Sequence, residues 1–257
     1  PTQVIIDSSA SWQVSRKVFA NFRPVLWRVD GKWQTLIDQA SLRYEGGRET
    51  RVRLEVGRFA SPIGLGMTEN RANVNGGVLW CHRLYYGSLP SMGADVPRQA
   101  LVSAVYPVDA MGTVTAAKWD ARVAMLDRSP TTEWTTPTRL VAPKHLVVGG
   151  GVSPRQGLRI GVAGARGALL DRAREEATYQ MLNIEADWAF GYTRISGEWT
   201  HDRFDTALGL RTANGVTVRA CKDNGRTMSV SNQASLNPAR RSVRDVYKRP
   251  FATLKFH

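Results

Sequence analysis

Arginines recur at alternate positions in several short stretches of this chain. Arg43 stands in "SLRYEGG", Arg51 and Arg53 in "RVRLEVGRF", Arg122 in "WDARVAML", Arg159 in "LRIGVAG" and Arg194 in "YTRISGEWTHDRF". Acidic residues share their spacing: Glu55 follows Arg53 by two, and Glu198 follows Arg194 by four. Hydrated cations in this pattern suit the binding or steering of anions. Other chemistries are poorly served. The four histidines (His82, His145, His201 and His257) include no pair at i, i+4 with a glutamate, so a zinc-protease helix is excluded. "WCHR" at 80–83 sets one cysteine beside one histidine and completes no metal site. "VVGGGVSPRQG" at 147–157 is glycine-rich but lacks a phosphate-binding pattern, and reads as a strand or turn. Ser196, His201 and Asp202 hold the residue types of a catalytic triad, but neighbouring side chains on a strand point apart. Cys81 and Cys221 lack CxxC spacing and read as isolated thiols. The expectation is a non-enzyme without metal or cofactor.

The elements that must carry these arginines have a period of two. In "YTRISGEWTHDRF", Thr193, Ile195, Gly197, Trp199 and His201 alternate with Arg194, Ser196, Glu198 and Thr200. Such alternation marks a strand with two unlike faces. Ala40, Leu42 and Tyr44 oppose Gln39, Ser41, Arg43 and Glu45, and Val52, Leu54 and Val56 oppose Arg51, Arg53 and Glu55. A turn at Gly46-Gly47 joins these two runs. Beyond Gly57, Phe59 falls on the polar register, which predicts a bulge. Lys118–Leu126 pairs with Gln99–Tyr106 on this reading. Tyr179–Trp188 and Tyr192–His201 form a tight hairpin across Ala189-Phe190-Gly191. Residues 169–178 have the composition of two helical turns at most. Long links are expected near 61–77, 86–98, 127–144 and 166–178, with short turns at 46–49 and 189–191.

Bulk properties bound the answer. The chain has 257 residues, 42% of them hydrophobic and 22% charged, enough for one large all-β domain. No apolar run reaches the length of a transmembrane helix. No signal peptide is read at the start, which predicts a cytosolic chain, a processed one or a fragment. Net charge is +13, of which residues 203–257, with 11 Lys/Arg and 3 Asp/Glu, supply +8. The basic excess therefore belongs mainly to the end of the chain. Residues 1–205 read as the body and 206–257 as an atypical basic segment, with short strands at Val216–Ala220 and Met228–Val230 around Asp223-Asn224-Gly225. "FATLKFH" reads as a last strand.

Alternation fits two architectures. A sandwich hides its apolar face in a core; a membrane barrel turns that face to lipid and its polar face to a wet lumen. Three features favour the barrel. Tyr179–Trp188 and Tyr192–His201 are ten residues each, the span of a tilted membrane strand. Aromatics (Trp119, Tyr179, Trp188, Tyr192 and Trp199) stand at strand ends, as in an interfacial girdle. Short turns alternate with long links. Arg43, Arg51, Arg53, Glu55, Arg122, Arg159, Arg194 and Glu198 are then the expected pore-lining residues. The rival is a soluble all-β binding domain whose basic tail binds polyanions.

"LRYEGG" followed by "RVRLEVGRFASPIGLG" resembles the porin-like outer-membrane proteins of Gram-negative bacteria, loosely the phosphate-selective porins. The hairpin "YQMLNIEADWAFGYTRISGEWTHDRFD" is similar to their barrel strands. The resemblance spans about residues 10–205, and its sharpest motif is Gly57–Gly66. It implies an all-β, antiparallel up-and-down transmembrane β-barrel, a bacterial outer-membrane location, and passive passage or binding of small, anionic solutes. Partners would be the lipid bilayer, small solutes and further copies of the chain, with no nucleic acid. At roughly 20–25 residues per strand and connection, about 10–12 strands are expected. The chain ends "LKFH", where these proteins end on Phe or Trp, so the expected barrel is incomplete.

Overall fold

A computed structural model describes residues 4–29, 31–64, 89, 99–102, 107–132, 144–169, 178–206, 208–222, 226–232 and 237–238. Among these are fourteen strands in one antiparallel sheet. They are β1 (Val4–Asp7), β2 (Ala10–Ser15), β3 (Val18–Val29), β4 (Lys32–Gly46), β5 (Arg51–Arg58), β6 (Val108–Thr115) and β7 (Trp119–Leu126). There follow β8 (His145–Arg155), β9 (Leu158–Ala168), β10 (Thr178–Phe190), β11 (Thr193–Thr206), β12 (Gly209–Lys222), β13 (Arg226–Asn232) and β14 (Asn237–Pro238). From β3 to β12 each strand pairs with the next in sequence, an up-and-down wall. At one edge β1 and β2 both pair β3; at the other, β13 and β14 both pair β12. Each couple acts as one interrupted strand.

Strand length follows from the alternation that continues past the expected ends. β10 runs 13 residues and β11 runs 14, against the ten expected of each. Between them the turn is the two residues 191–192, with Gly191 at φ +52°; Ala189 and Phe190 stay in β10. Pro24 lies inside β3, at a register shift between Arg23 and Pro24. A strand proline is tolerated at such a bulge, where no ladder donor is required.

Two expectations change. The partner of Lys118–Leu126 is β6, Val108–Thr115, not Gln99–Tyr106. Gln99 instead bridges Thr132, and residues 103–106 lie outside the described set. No register shift occurs at Gly57 in either of its pairings. Gly57 takes φ +106°, and an added Cβ would lie 2.4 Å from the Ala40 carbonyl oxygen, so only glycine fits. Phe59 keeps the polar parity because it belongs inside: it is buried with Ile63, Leu101 and Val102.

The turns 47–50, 116–118, 156–157 and 191–192 lie at one end of the wall. The longer connections that follow β5, β7 and β9 leave from the other end, where β3 to β4 and β11 to β12 are joined closely. Parts of these longer connections pack against the inner side of β7 to β12. Phe59, Ile63, Leu89, Leu101, Val102 and Leu169 form one apolar cluster with Leu126, Val147, Tyr179, Met181 and Phe204. Gln99, Ser129 and Thr131 tie the segment together by hydrogen bonds of 2.6–2.7 Å, and the Ala100 amide donates to the Thr131 carbonyl. The two short strands expected at Val216–Ala220 and Met228–Val230 are found as the longer β12 and β13, which pair up to Lys222 opposite Arg226. Residues 170–177, which include most of the proposed helical stretch, and 239–257, with "FATLKFH", lie outside the described residues.

Candidate functional site

The two faces of the wall are inverted relative to a soluble domain. Outward positions are aliphatic and exposed: Leu54 is 52% exposed, Val123 50%, Val162 50% and Ile184 43%. Inward positions are polar, and several are buried: Glu185 is 4% exposed, and Asn183 and Asp202 are 0%. From β5 to β10 the outward residues between the two strand ends include no Asp, Glu, Lys or Arg in the rows from Val52–Val56 to Leu182–Trp188.

All eight expected lining residues stand on the inward parity. The register brings them together in three groups. Toward the short turns of β4 and β5, Arg43 and Arg53 each reach Glu45 at 3.1 Å. The Arg43 guanidinium also lies over the Phe19 ring, 5.3 Å from its centroid. Among the described residues Glu55 pairs with no arginine; it accepts hydrogen bonds from Ser41 at 2.6 Å and Gln39 at 3.3 Å. Arg51 lines a cleft of about 390 Å³ with Arg48, Glu49, Arg53, Thr113 and Thr115.

The second group spans β7 to β10. Arg159 binds Asp120 through two hydrogen bonds, of 2.8 and 2.9 Å, and also binds Glu185. Arg122 approaches the same Glu185 at 3.5 Å. A fork-to-fork pairing of this kind fixes the guanidinium plane as well as its charge. Glycines make the space. A Cβ on Gly151 would sit 2.7 Å from Arg159 Nη2, and one on Gly161 would sit 2.7 Å from Glu185 Oε1. A Cβ on Gly149 would lie 2.8 Å from the Ala163 Cβ and 3.1 Å from Arg122 Nε. The glycine-rich run thus belongs to strand β8, whose inward positions 149 and 151 are left bare for two arginines.

In the third group, on β10 and β11, Arg194 pairs Asp187 through two bonds of 2.8 Å. Asn183 donates to Glu198 at 2.6 Å and to Thr200 at 2.9 Å. Asp120, Glu185 and Asp187 stand on the inward, polar parity of their strands, and the cross-strand register decides which arginine each meets. Most of the inner cations are therefore matched locally; in the cleft Arg48, Arg51 and Arg53 stand beside Glu49, with Arg53 also sharing Glu45 with Arg43.

The aromatics divide. Trp119 is exposed on the outer face. Trp188 is outward, packed on Phe190 with centroids 4.3 Å apart and beneath the Arg155 guanidinium at 4.8 Å. Trp199 is outward and stacks on His201 at 6.0 Å. Tyr192 sits in the turn, 79% exposed. Tyr179 is the correction: it points inward, buried against His145 with ring centroids 5.5 Å apart. Its parity with Met181, Asn183 and Glu185 requires this, since only residues 180, 182 and so on share the Leu182 face. The imagined triad is dispersed: Ser196 and Asp202 face inward, while His201 faces outward and bonds Asn214 at 2.7 Å. Among the described residues no cluster of three or more His, Cys, Asp or Glu could hold a metal ion.

Solved structures resemble this wall. The anion-selective porin from Comamonas acidovorans superposes with a TM-score of 0.51 at 11% identity, covering 89% of this chain and 67% of that one. The Salmonella typhi OmpF, in a complex with daunomycin, superposes with a TM-score of 0.52 at 9% identity, covering 91% and 70%. The fold is that of a porin barrel. No family model matches the sequence, and no curated protein matches it. In the porin fold, a polar inward face and an apolar outward belt are the two surfaces of one wall. The apolar cluster built from the long connections then lies on the inner side of that wall, toward one mouth.

Proposed function

We propose that this chain forms a porin-like channel in the bacterial outer membrane, through which small solutes diffuse passively. The observation that carries the reading is the inversion of the faces. A belt of exposed aliphatics running from β5 to β10 is far larger than the patches a soluble monomer leaves bare. Lipid is the environment that such a belt fits, and a wet lumen is the one that Arg159, Arg194 and Glu198 fit. A soluble sandwich is disfavoured, because its apolar face would be the covered one.

Small anions, inorganic phosphate among them, are the solute class favoured. The cleft at Arg48, Arg51 and Arg53 supports this, as does the likeness to a porin described as anion-selective. The preference is modest on this reading, since Asp120, Glu185 and Asp187 neutralise the cations of β7 to β11. The test is reconstitution of the folded chain in a planar bilayer. Stepwise conductance with a reversal potential displaced toward anion permeation is expected. A folded, inserted chain with no conductance would remove the channel reading.

A further inference from the structure

On β9 and β11 the outer face carries two cations at the end away from the turns 156–157 and 191–192, just past the apolar belt. Gln180 of β10 stands opposite Arg166 of β9 on one side and Arg203 of β11 on the other. All three side chains are exposed and share the outward parity of Leu182. Neighbouring strands are about 4.8 Å apart, so the two arginine backbones lie about 10 Å apart across Gln180. Neither arginine has a carboxylate within ion-pairing distance among the described residues. Asp205 lies one row further out, opposite Thr178, and pairs with neither. The row on the belt side of this trio is Val148, Gly164, Leu182 and His201. Gly164, without a side chain, leaves a notch between Val148 and Leu182.

We infer that Arg166, Gln180 and Arg203 form a headgroup site for a phosphate-bearing anionic membrane lipid, with an acyl chain over Gly164. The site rests on the membrane reading above. Charge complementarity chooses the occupant: two guanidiniums without acidic partners flank a neutral donor, and each presents a planar fork suited to phosphate oxygens. Position chooses the lipid over a free ion, because the trio borders the outward belt and not the lumen. Arginine is tolerated at this depth at little cost, where it would cost about 2–4 kcal/mol at the midplane.

The test uses the full chain, refolded and inserted in phosphatidylcholine vesicles, then extracted in mild detergent and titrated with phosphatidic acid or phosphatidylcholine under native mass spectrometry. Preferential retention of phosphatidic acid is expected. Arg166→Gln with Arg203→Gln should weaken that retention about 30-fold, at about fivefold for each cation near a lipid surface. The inner-face variant Arg53→Gln should leave it unchanged. Excess inorganic phosphate should not displace the lipid. Equal retention of the two lipids, an unaltered double variant, or displacement by inorganic phosphate would each overturn the lipid site while the barrel stands. A chain that never inserts, with no heat-modifiable gel mobility, would overturn both.

Discussion

Arg159 shows how much one residue on the inner face depends on what its neighbours lack. Its guanidinium lies between Asp120 and Glu185 only because Gly151 and Gly161 have no side chains. Gly161→Val should therefore act as an overpacking change and cost about 1–3 kcal/mol, measured by urea unfolding from vesicles. Gly164→Ala is the comparison. Its Cβ would meet nothing closer than the Met181 carbonyl at 3.5 Å, so stability should hold. Equal losses at the two sites would show that the guanidinium bed is not what the glycine serves. Charge reversal belongs to this scale too. Arg51→Glu with Arg53→Glu places two carboxylates in the cleft that Arg48, Arg51 and Arg53 line. The reversal potential should move toward cation permeation, and an unmoved potential would take the cleft out of the solute pathway. These residues were readable as a group because charge at every second position has one face to occupy. Their partners were not, since the pairing of Asp187 with Arg194 or Asp120 with Arg159 depends on cross-strand register. Periodicity within one strand carries no information on that.

A strand of this wall is defined by which side each parity faces. On β10, Leu182, Ile184 and Ala186 face out while Met181, Asn183 and Glu185 face in. Ile184→Arg should cost about 2–4 kcal/mol of stability in a bilayer, whereas an arginine at the inward, solvent-reached Thr115 should cost close to nothing. Unfolding both variants from the same vesicles checks this, and similar costs for the two would contradict the assignment of faces. The alternation of β4, β5, β7 and β9 to β11 was legible because aliphatics and charges divide cleanly between the two parities. β6 was missed: its outward Val108, Ala110, Gly112 and Val114 are small and weakly apolar, and its inward Met111 breaks the contrast. Tyr179 was misplaced for a related reason, since an aromatic suits a membrane interface or a packed interior equally well. Only its parity with Asn183 decides. The parity of Phe59 was a signal taken for a bulge, and no register shift occurs there. An apolar residue on the polar register marks a place where the inner wall is covered by protein.

At the scale of the whole molecule that covering is the feature most able to set the flow of solute. The wall is polar inside toward the short turns, but toward the other end its inner side carries Phe59, Ile63, Leu101 and Val102 packed on Leu126, Tyr179 and Phe204. A passage through this barrel must go past that cluster. Truncating it separates two effects that usually travel together. Phe59→Ala with Ile63→Ala removes fully buried side chains, so stability should fall, by about 3–5 kcal/mol for the phenylalanine alone. Unitary conductance should rise at the same time, because the volume lost is on the inner side of the wall. Outward truncation at Leu54 is the matched case: it removes apolar surface from the belt and should leave conductance as it was. Both readouts come from one preparation, with unfolding from vesicles giving the first and single-channel recording the second. If the double variant is destabilised but conducts as before, the cluster is packing beside the pathway and the narrowest point lies elsewhere, with the arginines of β7 to β11 the next region to probe.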